Sequence, residues 1–243
     1  MPHEEDDNDI MGLIDPDNNH FNNFSVNFTP HSIDSFVRNS NISNNSLNIM
    51  HHNSRSIMHD GRLGEYETFF KAINNPFKIL VFTETWLKED KKDLCKFQGF
   101  SSVHLLRPID HNIDFKERGG GISIFVHKSI EYKHRTDLEV ILPYMECCFI
   151  EIRYNNKKYI IAGVYRIPNT DINLFLEKFN EIIEPLKNSA EVILLGDYNI
   201  NLLNDDIYKN SFELCLKLFK NNQTGVYILP LSLSQSRGIQ YPL

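Results

Sequence analysis

The sequence predicts an α/β domain built on mixed β-sheet. Three observations carry this: apolar runs of strand length recur through the chain, amphipathic helical segments are interleaved with them, and two runs are joined by a two-residue polar turn. With 243 residues and 41% hydrophobic content, one domain with a sizeable core and a tail is the expectation.

Residues 1–45 are rich in Asn, Asp, Ser and His and lack periodicity, which predicts a disordered acidic tail in which Phe21, Phe24 and Phe28 are able to dock locally. From Ser46 the pattern changes. Leu47 to Met50 alternates like a strand, and Leu63, Tyr66, Phe69, Phe70 and Ile73 recur at helical spacing. Lys78 to Phe82 is a short apolar strand running directly into Thr83-Glu84-Thr85-Trp86. Gly119-Gly120-Gly121 precedes the strand Ile122 to Val126. Glu146 to Tyr154 and Lys158 to Tyr165, joined by Asn155-Asn156, have the pattern of a β-hairpin.

After Pro168 a helix is expected, capped by Thr170 or Asp171, with Ile172, Phe175, Leu176, Phe179, Ile182 and Ile183 on its apolar face. The run Val192 to Leu195 then reads as a buried strand ending in Gly196-Asp197-Tyr198-Asn199. A last helix is expected around Ser211 to Lys220, which closes the domain at 46–223. A weakly patterned tail, 224–243, follows.

The charge is unevenly placed. Of 32 acids and 25 bases, eight acids and only Arg38 precede residue 46, which leaves 24 of each in the rest of the chain. A formally neutral domain does not exclude nucleic acid, because a local basic rim is compatible with zero net charge. The cysteines (Cys95, Cys147, Cys148, Cys215) lack metal-ligand spacing and read as buried thiols. The sequence shows no secretory signal pattern and no apolar run approaching membrane-spanning length, so a soluble protein of a reducing compartment, nuclear or cytoplasmic, is expected.

Several polar residues at the ends of apolar segments are suited to chemistry. An apolar strand that delivers Asp197 and Asn199 at its end suits a metal-and-phosphate site; the plain alternative is an Asp-based turn. Glu84 either ends its strand or supplies the carboxylate that a hard divalent cation needs. Asn53 is either a turn former or a polar ligand, while His51 and His52, adjacent on a strand, face opposite ways and do not share an ion. Tyr165 is either a core residue with its hydroxyl at the rim or, with Arg166, a donor to phosphate oxygens. Arg118-Gly119-Gly120-Gly121 lacks the Walker lysine pattern and reads as a tight turn before a strand.

Taken in chain order, Asn53 after a strand, Glu84 in Thr-Glu-Thr-Trp-Leu, Arg118-Gly-Gly-Gly, Val164-Tyr-Arg-Ile-Pro and Leu195-Gly-Asp-Tyr-Asn resemble the endonuclease/exonuclease/phosphatase superfamily. More narrowly, residues 46 to 220 resemble the endonuclease domain of non-LTR retrotransposon polyproteins. The resemblance implies a four-layer α/β sandwich, two packed mixed β-sheets with outer helices, and a site at one edge of the sheets. It implies Glu84 as the main ligand of Mg²⁺ or Mn²⁺, and Asn53 as its support. Asp197 would orient or deprotonate water, Asn199 would help hold metal and phosphate, and Tyr165 would donate to the scissile group. Arg166 would bind backbone phosphate of DNA, a contact weakened by salt.

The superfamily pattern closes with a Ser-Asp-His and an upstream Asp that this sequence does not show: its last histidine is His134. The expectation is therefore a truncated frame lacking the last strands of the second sheet, with an open strand edge and weak or no activity. A non-catalytic relic or nucleic-acid-binding module is one alternative reading. A phosphodiesterase on a lipid or small phosphate ester is another.

Overall fold

The strands fall into two sheets whose apolar faces meet. The computed structural model describes residues 46–108, 119–186 and 189–200, and the backbone of a strand at 226–230. The first sheet holds β1 (Ile49–Asn53), β2 (Ile79–Thr83), β3 (Phe100–Leu105) and β4 (Ile122–His127) in the order β1-β2-β4-β3. β1 and β2 are parallel, a pairing that requires a crossover, and helix α1 (Arg62–Ala72) lies in that connection. β4 runs antiparallel to both of its neighbours.

The second sheet holds β5 (Tyr132–His134), β6 (Val140–Leu142), β7 (Met145–Tyr154), β8 (Lys157–Arg166), β9 (Glu191–Asp197) and β10 (Val226–Pro230). Its order is β10-β9-β8-β7-β5, with β6 also on β7. β7 and β8 form the expected hairpin, and Asn155 and Asn156 turn it with φ of 48° and 62°, the double left-handed conformation that two-residue hairpin turns demand. Helix α2 (Ile172–Ile183) lies in the connection between the parallel strands β8 and β9. Asp171 caps it by accepting from Asn173 N at 2.7 Å.

Strand alternation sorts the core into layers. Ile79 and Val81 of β2, Ile122, Ile124 and Val126 of β4, Cys148, Ile150 and Ile152 of β7, and Ile193 and Leu195 of β9 fill the space between the sheets. The sheets interlock closely enough that a Cβ on Gly163 would lie 2.6 Å from Ile122 Cγ2. The opposite residues of β7, β8 and β9 pack on Phe175, Leu176, Phe179 and Ile183 of α2, and each such buried side chain stabilises by about 2 kcal/mol relative to exposure. Outside the first sheet, Phe70 of α1 joins Phe77, Phe82, Phe97 and Phe125 in an aromatic cluster. Helix, sheet, sheet and helix are the four layers the sequence resemblance implied.

Two details differ from expectation. β1 begins later than Leu47 and reaches Asn53, which makes Asn53 a strand residue with a defined face. The edge of β9, expected to be open, is paired by β10 from Val226 opposite Val192 to Pro230 opposite Gly196. Proline has no N–H to give to a ladder, so it suits the end of an outermost strand. The helix expected at Ser211 to Lys220 and the tail of residues 1–45 lie outside the described residues.

Candidate active site

Parallel pairing brings the ends of β1, β2, β8 and β9 to one rim. Asn53 pairs with Thr83, so Glu84 is the next residue past that pair, and Tyr165 pairs with Asp197 in the other sheet. Alternation turns Asn53, with Ile49, and Asp197, with Ile193 and Leu195, toward the space between the sheets. There the Asn53 carboxamide joins them: Nδ2 donates to Glu84 Oε1 at 2.9 Å and to Asp197 Oδ2 at 2.7 Å. Asn53 Oδ1 accepts from Arg55 N at 3.2 Å.

The backbone beneath these side chains is tied on both sides. Ser54 N donates to Thr83 O at 2.9 Å, Ser56 N to Glu84 O at 2.8 Å and Ile57 N to Thr85 O at 3.0 Å. From the far side, Thr85 N donates to Gly121 O at 3.1 Å and Trp86 N to Gly120 O at 3.0 Å. Arg62 of α1 holds the loop after β1 through its Nη1, which donates to the carbonyls of Ser54, of Arg55 at 2.6 Å and of Ser56 at 3.2 Å. Among the described residues, those with left-handed backbone that are neither Gly nor Asn are Arg55, Ser56, Glu84 and Trp86, all in this stretch. Such strain costs about 1–3 kcal/mol per residue and persists where surrounding bonds over-determine the geometry.

Electrostatics follow from burial and crowding. Burial pushes the Asp197 carboxyl above its ordinary value, Glu84 adds to the rise, and the Asn53 amide, the Asn199 N–H and Arg55 oppose it. Burial, then the negative charges of Glu84 and Asp197, push the Tyr165 phenol up, so it stays protonated and able to donate. Asn199 N donates to Asp197 Oδ1 at 3.1 Å, closing an Asx turn. Gly196 lets β9 approach β8 just before Asp197, since a Cβ there would run into the Val164 carbonyl.

Arg166 has a different setting from the one its sequence suggested. Its guanidinium is buried and donates to Asn199 O at 2.9 Å, Tyr198 O at 3.4 Å and Thr170 O at 2.7 Å, while Asn199 Nδ2 donates back to Arg166 O at 2.6 Å. These bonds anchor the loop that carries Asn199. A bidentate phosphate contact would require Arg166 to give them up.

Two residues beside the rim were not singled out from the sequence. Glu146, 1% exposed and opposite Tyr165 on β7, accepts from Arg107 Nε at 2.5 Å and from Gly121 N at 2.6 Å. Burial pushes its carboxyl up, against the pull of Arg107 and the Gly121 N–H. The three glycines carry φ of 133°, 70° and 81°, and a Cβ on Gly120 would strike the Arg107 guanidinium, so the run is a tight turn clamped by a buried ion pair. Arg118 lies outside the described residues. His51 and His52 face opposite ways, toward Thr83 Oγ1 at 3.1 Å and Tyr66 Oη at 2.8 Å.

No protein-family model matches the sequence, and no curated protein matches it. Solved structures do. The endonuclease domain of TRAS1, a telomere-specific non-LTR retrotransposon, superposes with a TM-score of 0.50 at 15% identity, over 70% of this chain and 69% of that one. The AP endonuclease LMAP from Leishmania major superposes with a TM-score of 0.52 at 12% identity, over 70% of this chain and 65% of that one. The chain thus has the fold of the endonuclease/exonuclease/phosphatase proteins and spans about two thirds of each match. No helix among the described residues is long and apolar enough to cross a membrane.

Proposed function

We propose that this chain is a divalent-metal-dependent phosphodiester hydrolase of the DNA endonuclease type, from a retrotransposon-like frame. The observation that carries the reading is the Asn53 carboxamide bonded at once to Glu84 and Asp197 across two sheets. Two carboxylates converging on one amide form an oxygen-donor set of the kind that hard cations take, which fits Mg²⁺ or Mn²⁺ with Glu84 as the main ligand and Asn53 as its support. Such an ion supplies positive charge against the charge that grows on phosphoryl oxygens.

The chain's own groups do the rest. Asp197, with raised proton affinity, orients water and takes its proton. The protonated Tyr165 hydroxyl donates to a phosphate oxygen, a contact typically worth about 3 kcal/mol in the transition state. Asn199 helps hold the phosphate from the loop that Arg166 anchors, its Nδ2 exchanging the Arg166 carbonyl for a phosphate oxygen, and Arg166 acts by positioning. Arg55, exposed and close enough to Asp197 to act on its charge, takes the salt-sensitive backbone-phosphate contact. Trp86, 37% exposed and two residues past Glu84, offers a face on which a base stacks.

Turnover is expected to be slow, because the sequence holds no histidine after His134 to make the Asp-paired phosphate contact. The same observation favours a second reading, a nucleic-acid-binding protein that has kept the fold without turnover. A plasmid-nicking assay with Mg²⁺ tests both. Slow nicking that disappears in Glu84→Ala and in Asp197→Ala supports hydrolysis; equal background in all three proteins with retained DNA binding supports the binding module.

A further inference from the structure

A second group of ligand-type side chains lies where β5 and β6 pair along β7 in the second sheet. His134 ends β5, Glu139 follows the 3₁₀ turn Thr136–Leu138 and precedes β6, and Cys148 sits on β7 between the points where those strands pair. His134 Nε2 is 2.5 Å from Glu139 Oε1, and Cys148 Sγ is 3.7 Å from the same oxygen. All three donor atoms lie within 4.8 Å of one another. Sequence spacing hides the group because strand register, not local spacing, assembles it.

We propose that His134, Glu139 and Cys148 form a second metal site, taking a borderline-soft divalent cation of the zinc type and distinct from the rim site. Imidazole nitrogen, thiolate sulfur and carboxylate oxygen are the zinc donor set, whereas the rim residues offer oxygen. Tetrahedral zinc with bonds of about 2.0–2.3 Å places its ligand atoms roughly 3.5 Å apart. The sulfur–oxygen distance of 3.7 Å already matches, and the His134–Glu139 pair opens by about 1 Å.

The surroundings support the geometry. Arg135, between the ligands, donates to both carboxylate oxygens of Asp137 at 2.8 and 2.7 Å, to Glu151 Oε2 at 2.9 Å, and through its backbone N to Phe149 O at 2.9 Å. That fixes the turn on which His134 and Glu139 are carried. Cys148 is fully buried, while His134 and Glu139 are 32% and 21% exposed, so an ion has an entry and a fourth position open to water. Binding releases the Cys148 thiol proton to solvent and leaves the thiolate on the metal.

Cobalt(II) titration of the metal-free full chain tests this, with the near-ultraviolet thiolate-to-cobalt charge-transfer band as readout. The expected result is a band that saturates at one equivalent, is displaced by Zn²⁺ and persists in Glu84→Gln. It should vanish in Cys148→Ser, and affinity should fall at least about 100-fold in His134→Ala. Circular dichroism checks that each variant folds. If Cys148→Ser does not, His134→Ala decides, since its side chain is partly exposed on a short strand. No band in the wild type, or a band that His134→Ala leaves unchanged, overturns the proposal.

Discussion

Replacing Asn53 by alanine probes the junction on which the rim site depends. Its Nδ2 lies 2.9 Å from one carboxylate oxygen and 2.7 Å from the other, so the two oxygens are no more than 5.6 Å apart. Two unit charges at about 5 Å repel by roughly 3 kcal/mol at an effective dielectric near 20. Hydrogen bonds to charged groups are worth about 1.5–3 kcal/mol each, and the low end applies in a partly open site. Asn53→Ala should then destabilise the metal-free protein by about 3 kcal/mol, which for a domain of this size lowers Tm by about 6–12 °C. Calorimetry in EDTA and then in saturating Mg²⁺ is the assay, and the cation should recover much of the loss because it takes over the balancing of charge. Asn53→Asp, which adds a third carboxylate, should fall further in EDTA and gain more from the cation. A Tm for Asn53→Ala within about 1 °C of wild type in EDTA, or identical cation responses in all three proteins, would show that Asn53 does not hold the two carboxylates together.

Other perturbations have equally definite outcomes. The Asp197 carboxyl is raised in the folded state, first by burial and then by Glu84, so its contribution to stability is present at acid pH and lost as pH rises from the ordinary carboxylate value through the raised one. Urea unfolding of metal-free protein should find Asp197→Asn more stable than wild type at pH 7, with the advantage gone at acid pH, while nicking is lost. Gly196→Ala forces a Cβ into the Val164 carbonyl and should cost about 3 kcal/mol, whereas Gly64→Ala, with open space on α1, should stabilise by about 0.5–1 kcal/mol in the same denaturation assay. Arg107→Met leaves Glu146 buried without its cation and should cost about 3–5 kcal/mol by urea unfolding, with part of the loss recovered in the double variant with Glu146→Gln.

Much of the fold was legible where one signal dominates. Continuous apolar runs marked β2 and β9 because both faces of those strands are covered, Asn155-Asn156 marked the hairpin because its turn needs positive φ, and the Thr170-Asp171 pair marked the start of α2, of which Asp171 is the cap. β5 and β6 escaped because they are three-residue, half-exposed strands, and β3 because serines and His104 interrupt its apolar positions. Among the residues of the proposed site, Asn53, Glu84 and Asp197 were legible as polar residues ending apolar segments. The setting of Arg166 is not legible from its sequence neighbours, which do not reveal that the carbonyls of Thr170 and of the loop after β9 surround it. Arg107 and Glu146 are 39 residues apart and meet only through sheet register and packing, which no local pattern encodes; the one available hint was an acid inside the apolar run of β7.

A crystal structure of the chain with Mn²⁺, with the ion located by its anomalous scattering, is the decisive measurement for a cation at the rim. The expected result is a peak in contact with the Glu84 carboxylate, between the β1–β2 and β8–β9 ends, that is absent from Glu84→Gln crystals. A map with no peak at that rim, or one unchanged by Glu84→Gln, would rule out Glu84 as a cation ligand.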